Sequence, residues 1–123
     1  MSALAIPYDK LWNPSAGGPI SPGLYGSAAI NVSAIGATLI VAAVALRSIW
    51  VLSYEIVTTA GNSVTLEDST GVVYRGPMPF IANGGIATPY NAAGHFRIPV
   101  GRGLSIGCTS ALQTGGGVCY VVV

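Results

Sequence analysis

The residues of this chain whose types suit catalysis or metal binding are few and lie far apart. The single histidine, His95, occurs in the stretch NAAGHFRIPVG, which has no Cys, Asp or Glu at a metal-ligand spacing from it. A catalytic or metal-binding histidine needs such partners. We therefore interpret His95 as a surface or packing residue, and the sequence predicts no metal site around it.

The two cysteines, Cys108 and Cys119, flank the segment TSALQTGGGV. If this segment forms a hairpin, the two side chains lie opposite each other on one face, where a cross-strand disulfide is conceivable. In a protein assembled in the cytoplasm, two buried and reduced thiols are the alternative that we favour. The spacing is not that of a CxxC redox motif.

The neighbouring carboxylates Glu67 and Asp68 lie in the turn-like stretch EDSTG. Acid–base catalysis by such a pair requires two environments that separate their pKa values, and a solvated turn provides neither. We interpret the pair as turn-forming and solubilising residues. The glycines of QTGGGV and NGGI lack the helix and the lysine of a phosphate-binding loop. The sequence therefore predicts no cofactor, and we do not expect an enzyme.

The composition indicates that the chain has too few charged side chains to cover its surface. Only 7% of the 123 residues are charged, with five basic and four acidic side chains, while 51% are hydrophobic. An ordinary soluble domain is about 25% charged. Either the chain assembles with other molecules or it lies in lipid. The four arginines are scattered along the sequence, which disfavours nucleic acid as a partner.

Residues 35–52, IGATLIVAAVALRSIWVL, have the length of a membrane-spanning helix, about 18 mostly apolar residues. Arg47 lies inside this run, where a charge on a spanning helix costs about 2.5–3.5 kcal/mol. The residues that follow alternate with the period of a strand. We therefore predict two strands joined by a turn near residues 45–48, and a membrane helix over 35–52 is the alternative.

The strand after this turn is predicted to place alternate residues on opposite faces. One face carries Trp50, Leu52, Tyr54 and Ile56, and the other carries Val51, Ser53 and Glu55. The last stretch, GVCYVVV, is apolar on both faces, which is unusual for a strand with one wet face. We expect the second faces of both strands to be buried against other subunits. The predicted interface residues are Ile49, Val51, Val121 and Val123.

Short strand-like stretches recur about every eight to twelve residues from Ala28 onward, with turn residues between them. They are AAINV, NSVTLED, TGVVYRG, MPFIANGG, GHFRIPVGRG, GLSIGCTS and GVCYVVV. This recurrence is typical of an antiparallel β-sandwich or jelly roll. We predict one all-β domain of this kind over residues 28–123.

Residues 1–27 hold four prolines and several glycines, which disfavour a helix or a central strand. Two interpretations stay open for this Pro/Gly-rich segment. It is either an unstructured terminus or an extended N-terminal arm whose side chains anchor on a neighbouring molecule. The predicted anchors of such an arm are Tyr8, Leu11, Trp12 and Tyr25.

Three stretches of the sequence carry a resemblance to a known family. They are GATLIVAAVALRSIWVLSYEIVTTAG, YRGPMPFIANGGIATPYNAAGHFR and GRGLSIGCTSALQTGGGVCYVVV. They resemble small β-sandwich proteins from the structural gene blocks of tailed bacteriophages and prophages, of the capsid decoration (cement) type. The resemblance covers roughly the last three-quarters of the chain. It implies a jelly roll that assembles as a homotrimer about a three-fold axis.

The resemblance further implies a virion structural protein on the capsid exterior, with the major capsid protein as its partner. The first residues, MSALAIPYDK, lack the basic start and apolar core of a secretory signal, so we expect synthesis in the bacterial host cytoplasm. The alternative function is a tail-fibre or receptor-binding tip that recognises a host glycan or protein. Tyr90, Asn91 and His95 are its predicted contacts, because sugars favour an aromatic platform beside amides.

Overall fold

The structure is a computed structural model that describes residues 12–13, 18–19 and 25–123, where every regular element is a β-strand. In chain order the strands are β1 (Trp12–Asn13), β2 (Gly18–Pro19), β3 (Tyr25–Val32), β4 (Gly36–Val41), β5 (Ile49–Thr58), β6 (Asn62–Asp68), β7 (Val73–Phe80), β8 (Gly85–Ala87), β9 (Phe96–Ile98), β10 (Leu104–Cys108) and β11 (Thr114–Val122). The predicted all-β class is confirmed.

Strands β3 to β11 form two antiparallel sheets that pack against each other as a β-sandwich. The four-stranded sheet has the order β4-β10-β6-β7, and the five-stranded sheet has the order β3-β11-β5-β8, in which β9 also pairs with β5. Strands β1 and β2 pair only with each other among the described residues, as a short antiparallel ribbon. The antiparallel sandwich that the strand recurrence predicts is therefore confirmed.

The connections between β3 and β11 mostly pass from one sheet to the other. Only the β6–β7 and β8–β9 connections stay within a sheet. The two strands predicted on either side of residues 45–48 are confirmed as β4 and β5, with a turn at residues 45–46, and they lie in different sheets. Among the residues described, no helix has the length and apolarity that crossing a membrane requires.

The hydrophobic core lies between the two sheets and is built from alternate residues of each strand. In β6, Val64 and Leu66 are fully buried while Ser63 and Thr65 are partly exposed, as the alternation predicts. The largest core side chains that are fully buried are Ile49, Ile56, Leu66, Ile98, Leu104 and Ile106. Burial of each such side chain contributes about 1.5–3 kcal/mol to the stability of the fold.

A β-bulge interrupts the pairing of β5 with β11. Cys119 of β11 lies opposite Ser53, but the next residue of β11, Tyr120, lies opposite Val51. Leu52 is therefore an extra residue in β5, and an extra residue shifts the alternation of the strand by one position.

The bulge changes which residues of β5 face the core. Before it, Ile49 and Val51 face the core, and after it Tyr54 and Ile56 do. Trp50 lies instead in a second cluster on the outer side of the sheet. The prediction that Trp50 shares a face with Tyr54 and Ile56 is therefore wrong, because an uninterrupted alternation does not allow for the extra residue.

Two predicted boundaries also differ from the structure. Strand β3 begins at Tyr25, which pairs with Val121 of β11, so residues 25–27 belong to the sandwich and not to the predicted arm. The stretches TGVVYRG and MPFIANGG contribute to one continuous strand, β7, instead of two. Strand β7 lies at the edge of its sheet, where prolines are tolerated because they need not donate a ladder hydrogen bond.

Gly116, in β11, is predicted not to tolerate a side chain. Its φ is +138°, and a Cβ at this position would overlap the carbonyl oxygen of Glu55 in β5. We expect Gly116→Ala to lower the free energy of unfolding by roughly 3 kcal/mol or more, because overpacking and an unfavourable backbone conformation add together. Urea denaturation followed by tryptophan fluorescence measures the change.

Gly71→Ala is the matched control, since Gly71 has a similar φ of +95° but no atom within 4 Å of its would-be Cβ. We expect it to cost only about 1–2 kcal/mol. Equal losses in the two variants would contradict the conclusion that the close approach of β5 and β11 makes Gly116 necessary.

Candidate functional site

The outer face of the five-stranded sheet, which points away from the core, has small side chains in its middle. They line a shallow cavity of about 410 Å³, which we call the outer trough. Its lining includes Ser27, Ala29, Ser53, Glu55, Gly117 and Cys119. The strand register places Ser27, Cys119 and Ser53 in one row across the sheet, with Glu55 in the next row. Because these side chains are small, an extended segment could approach the backbone of three strands.

Glu55 is the charged residue of the outer trough, and residues 25–123 give it no ion-pair partner. The ion pair within those residues joins Arg102 to Asp68. Arg97 is also engaged, since its guanidinium lies over the ring of Trp50 at 3.8 Å from the ring centroid. The trough therefore presents a single carboxylate on a floor of small residues.

An apolar cluster adjoins the lining of the outer trough on the same face of the sheet, and we call it the apolar end of the trough. Trp50, Leu52 and Val121 are buried there, and Tyr25 and Val123 pack against them while partly exposed. This cluster lies on the opposite side of the sheet from the core. A segment seated in the trough would therefore meet apolar side chains at one end and the carboxylate of Glu55 further along.

The loop of residues 88–95 is attached to β5 by backbone hydrogen bonds. Asn91 and His95 donate their N–H groups to β5 carbonyls at 2.9 and 2.8 Å. Burial raises the pKa of Tyr25, and the nearby Tyr90 raises it further. The loop therefore stands beside the apolar end of the trough, with Tyr90 next to Tyr25.

The three predicted recognition residues lie together in this loop, but two of them are engaged within it. The ring Nε2 of His95 lies 2.7 Å from the carbonyl oxygen of Pro89. The Oδ1 of Asn91 accepts a bond from the backbone N–H of Ala93 at 3.0 Å. Tyr90 is 57% exposed. His95 thus has a packing role, as interpreted from the sequence.

Three of the four predicted subunit-interface residues are buried inside one chain. Ile49 and Val51 are 0% exposed and belong to the core between the sheets. Val121 is 1% exposed at the apolar end of the outer trough, where Val123 is partly buried. The interface prediction is therefore wrong for Ile49, Val51 and Val121, because the chain itself covers these side chains.

The predicted arm anchors fall in different places. Tyr8 and Leu11 lie outside the described residues. Trp12 belongs to β1, which pairs with β2. Tyr25 belongs to β3 and packs at the apolar end of the outer trough. Tyr25 is therefore part of the sandwich and not a free anchor, while the role of the other three residues stays a prediction.

The two cysteines are not bonded to each other and lie in different sheets. Cys108 is buried on β10, and Cys119 is exposed on β11 in the outer trough. The hairpin that would bring them together does not form, because β10 and β11 do not pair. The expectation of two buried thiols is correct for Cys108 and wrong for Cys119.

Asp68 is not the solvated turn residue that the sequence predicts, since it is only 1% exposed. Its Oδ1 accepts bonds from the N–H and hydroxyl of Thr70 at 2.8 and 2.6 Å, and its Oδ2 accepts bonds from Tyr74 and Arg102 at 2.9 and 3.0 Å. Burial raises the pKa of Asp68, but the bonds from Thr70, Tyr74 and Arg102 outweigh it and hold the pKa well below 3.8. Asp68 therefore fixes the turn after β6.

The neighbouring carboxylate, Glu67, is bonded within its own strand. It accepts the hydroxyl hydrogen bond of Thr65 at 2.7 Å. Within residues 12–13, 18–19 and 25–123, no three His, Cys, Asp or Glu side chains converge to hold a metal ion.

A second surface, which the sequence analysis did not single out, runs along β4 and the loops beside it. The exposed fractions there are 68% for Ile35, 55% for Leu39, 89% for Leu46 and 58% for Val100. The loop after β4 is joined to the loop before β10 by a bond from Gly101 N to Arg47 O at 3.0 Å. Strand β4 is at the edge of its sheet and carries no charge and no proline. We call this surface the β4 edge.

Leu46 is the most exposed of these residues and has a strained backbone. Its φ is +64°, a conformation that costs a bulky residue about 1–3 kcal/mol. Because 89% of Leu46 is exposed, packing within the chain does not offset this cost. Leu46 is therefore both strained and exposed, a combination that makes it a candidate contact residue.

Comparison of the chain with family models, with curated proteins and with solved structures found no match. The resemblance to phage decoration proteins and the trimer that it implies therefore stay predictions from the sequence.

Asp68→Asn tests the structural role of the buried carboxylate. We expect the free energy of unfolding at pH 7 to fall by about 2 kcal/mol, because hydrogen bonds to a charged group contribute about 1.5–3 kcal/mol. The folded-state pKa lies below the ordinary value of 3.8, so this contribution is present above about pH 4 and is lost as the pH falls further. Thermal unfolding between about pH 2 and 7 measures both effects.

Glu67→Gln is the matched control, because Glu67 adjoins Asp68 but is partly exposed. We expect it to keep the acid-dependent loss of stability, whereas Asp68→Asn flattens it. An Asp68→Asn variant with the same acid dependence as the wild type would contradict the role assigned to this carboxylate.

Proposed function

We propose that the chain is a non-enzymatic virion structural protein, a trimeric capsid decoration (cement) protein on the exterior of a phage head. The observation that carries the proposal is the β4 edge, where Ile35, Leu39 and Leu46 are exposed without a charged residue on the strand. Apolar edge strands of this kind pair readily with other chains, and large exposed apolar surfaces mark interaction sites. The low charge of the whole chain supports the same conclusion.

The strand order supports a jelly roll as the finer architecture of the sandwich. A jelly roll has two sheets of four strands and is found in viral capsid and lectin domains. Strands β8 and β9 both pair with β5 and occupy one position in their sheet. When they are counted together, β3 to β11 divide into four and four, and the chain passes repeatedly between the sheets.

The mechanism in this proposal is thermodynamic. A protein that binds only the assembled shell stabilises that shell by mass action, and a trimer with three contacts binds more tightly than each contact alone. The β4 edge is the proposed contact between copies. Tyr8, Leu11 and Trp12 are the proposed tethers to the major capsid protein.

The alternative function, a receptor-binding tip, has less support from the loop of residues 88–95. His95 and the Oδ1 of Asn91 are engaged in hydrogen bonds inside the loop, which leaves Tyr90 as the exposed aromatic platform. Saturable binding of the isolated protein to host cells would favour this alternative over capsid decoration.

Leu46→Asn is expected to stabilise the dissociated chain and to weaken its self-association. Asn adopts a positive φ more readily than Leu, so we expect the free energy of unfolding of the dissociated chain to rise by about 0.5–1 kcal/mol. Self-association should weaken at least about tenfold, because central apolar anchors contribute about 2 kcal/mol or more to an interface. Sedimentation equilibrium measures the association constant, and thermal unfolding at low concentration measures the stability.

Ile81→Asn is the matched control, since Ile81 is 80% exposed but follows β7, at the opposite edge of the four-stranded sheet. We expect Ile81→Asn to associate like the wild type and to bind phage heads that lack their decoration protein. If Leu46→Asn also associates and binds heads normally, the β4 edge is not the assembly contact. Failure of the wild type to cosediment with such heads would contradict the proposed function itself.

A further inference from the structure

The outer trough supports an inference that goes beyond the proposed function, because it concerns the isolated chain. We infer that the trough is the binding site of the chain's own N-terminal segment, residues 8–12 (YDKLW), with the ammonium group of Lys10 beside the carboxylate of Glu55. Attachment of this segment to any partner then requires its release from the trough.

The distribution of charges favours Lys10 as the partner of Glu55. Of the five cationic side chains, three are engaged within the described residues: Arg75 bonds to carbonyl groups, Arg97 covers Trp50, and Arg102 pairs with Asp68. Arg47 lies eight residues before Glu55, roughly 26 Å away at about 3.3 Å per strand residue. Lys10 is the single lysine of the chain and is the cation left for Glu55.

The stretch of chain between β2 and β3 is short, which keeps the N-terminal segment close to the trough. The β1–β2 ribbon pairs Trp12 with Pro19, and Pro19 shortly precedes β3 in the chain. Five residues separate Pro19 from Tyr25, so Pro19 lies within about 22 Å of Tyr25. Tyr25 itself packs at the apolar end of the trough. A segment tethered so closely has an effective concentration of about a millimolar or more.

The shape of the outer trough also suits a segment with large side chains. The floor of the trough offers Ala29, Gly117 and Cys119 where a strand usually carries larger side chains, so the large side chains of Leu11 and Trp12 find space there. The apolar end supplies the partly exposed side chains of Tyr25 and Val123 as neighbours for them. A second copy packed by the same face would instead bring two Glu55 carboxylates together, which disfavours that occupant.

The exposed thiol of Cys119 reports directly on occupation of the trough. It lies diagonally across from Glu55, about 7–8 Å away, while Cys108 is buried and serves as an internal reference. The experiment measures the rate at which a neutral maleimide modifies Cys119 in the full-length protein, by mass spectrometry of the cysteine peptides. A seated segment shields Cys119 and slows this rate.

We expect Lys10→Gln to raise the modification rate of Cys119 by about three- to tenfold. A nearby positive charge favours the reactive thiolate, so its loss alone would slow the reaction, and acceleration therefore reports release of the segment. The charge exchange Lys10→Glu with Glu55→Lys should restore the slow rate. Arg47→Gln removes a positive charge outside the segment and far from the trough, so it is the matched control and should react like the wild type.

A disulfide trap identifies which chain supplies the segment. Leu11→Cys, oxidised at micromolar protein concentration, should form a disulfide with Cys119 within one chain, and the added substitution Cys119→Ser should abolish it. Disulfides between two chains, or an unchanged Cys119 rate in Lys10→Gln together with no trapping, would overturn the inference. Neither result bears on the binding of phage heads, so the inference and the proposed function fail independently.

Discussion

The pairing of β5 with β11 is the constraint on which both faces of the five-stranded sheet depend. The two strands approach so closely that Gly116 has no room for a Cβ, and Leu52 forms the bulge that shifts the alternation of β5. The bulge turns Ile49 and Val51 into the core and leaves Trp50 on the outer side. The core, the apolar end of the outer trough and the position of Glu55 all follow from this register.

The second constraint is the small number of charges and where they are placed. Asp68 and Arg102 form a pair that fixes the turn after β6, and Arg97 covers Trp50. These charged side chains therefore stabilise the fold, and they do not cover the β4 edge. Leu46 and the rest of the β4 edge stay exposed, which is the physical basis for proposing that copies of the chain cover one another.

Local sequence patterns were enough to predict most strands of the fold. They did not predict the features that depend on residues far apart in the sequence. The alternation of NSVTLED was enough to predict β6, and Arg47 was enough to disfavour a membrane helix. The bulge at Leu52 depends on the register with β11, which adjacent residues do not encode. Asp68 looks like a turn residue because its donor Arg102 is 34 residues away in the sequence. The turn that contains Leu46 was predicted, but the exposure of Leu46 was not, since an apolar residue in the sequence carries no sign of its exposure.

We propose that the chain covers its exposed apolar surface by assembling with itself. Native mass spectrometry of the full-length wild-type protein at micromolar concentration tests this self-assembly most directly. We expect a particle with three times the 12.4 kDa mass of the chain. A folded, soluble species that stays at 12.4 kDa over the accessible concentration range would contradict self-assembly.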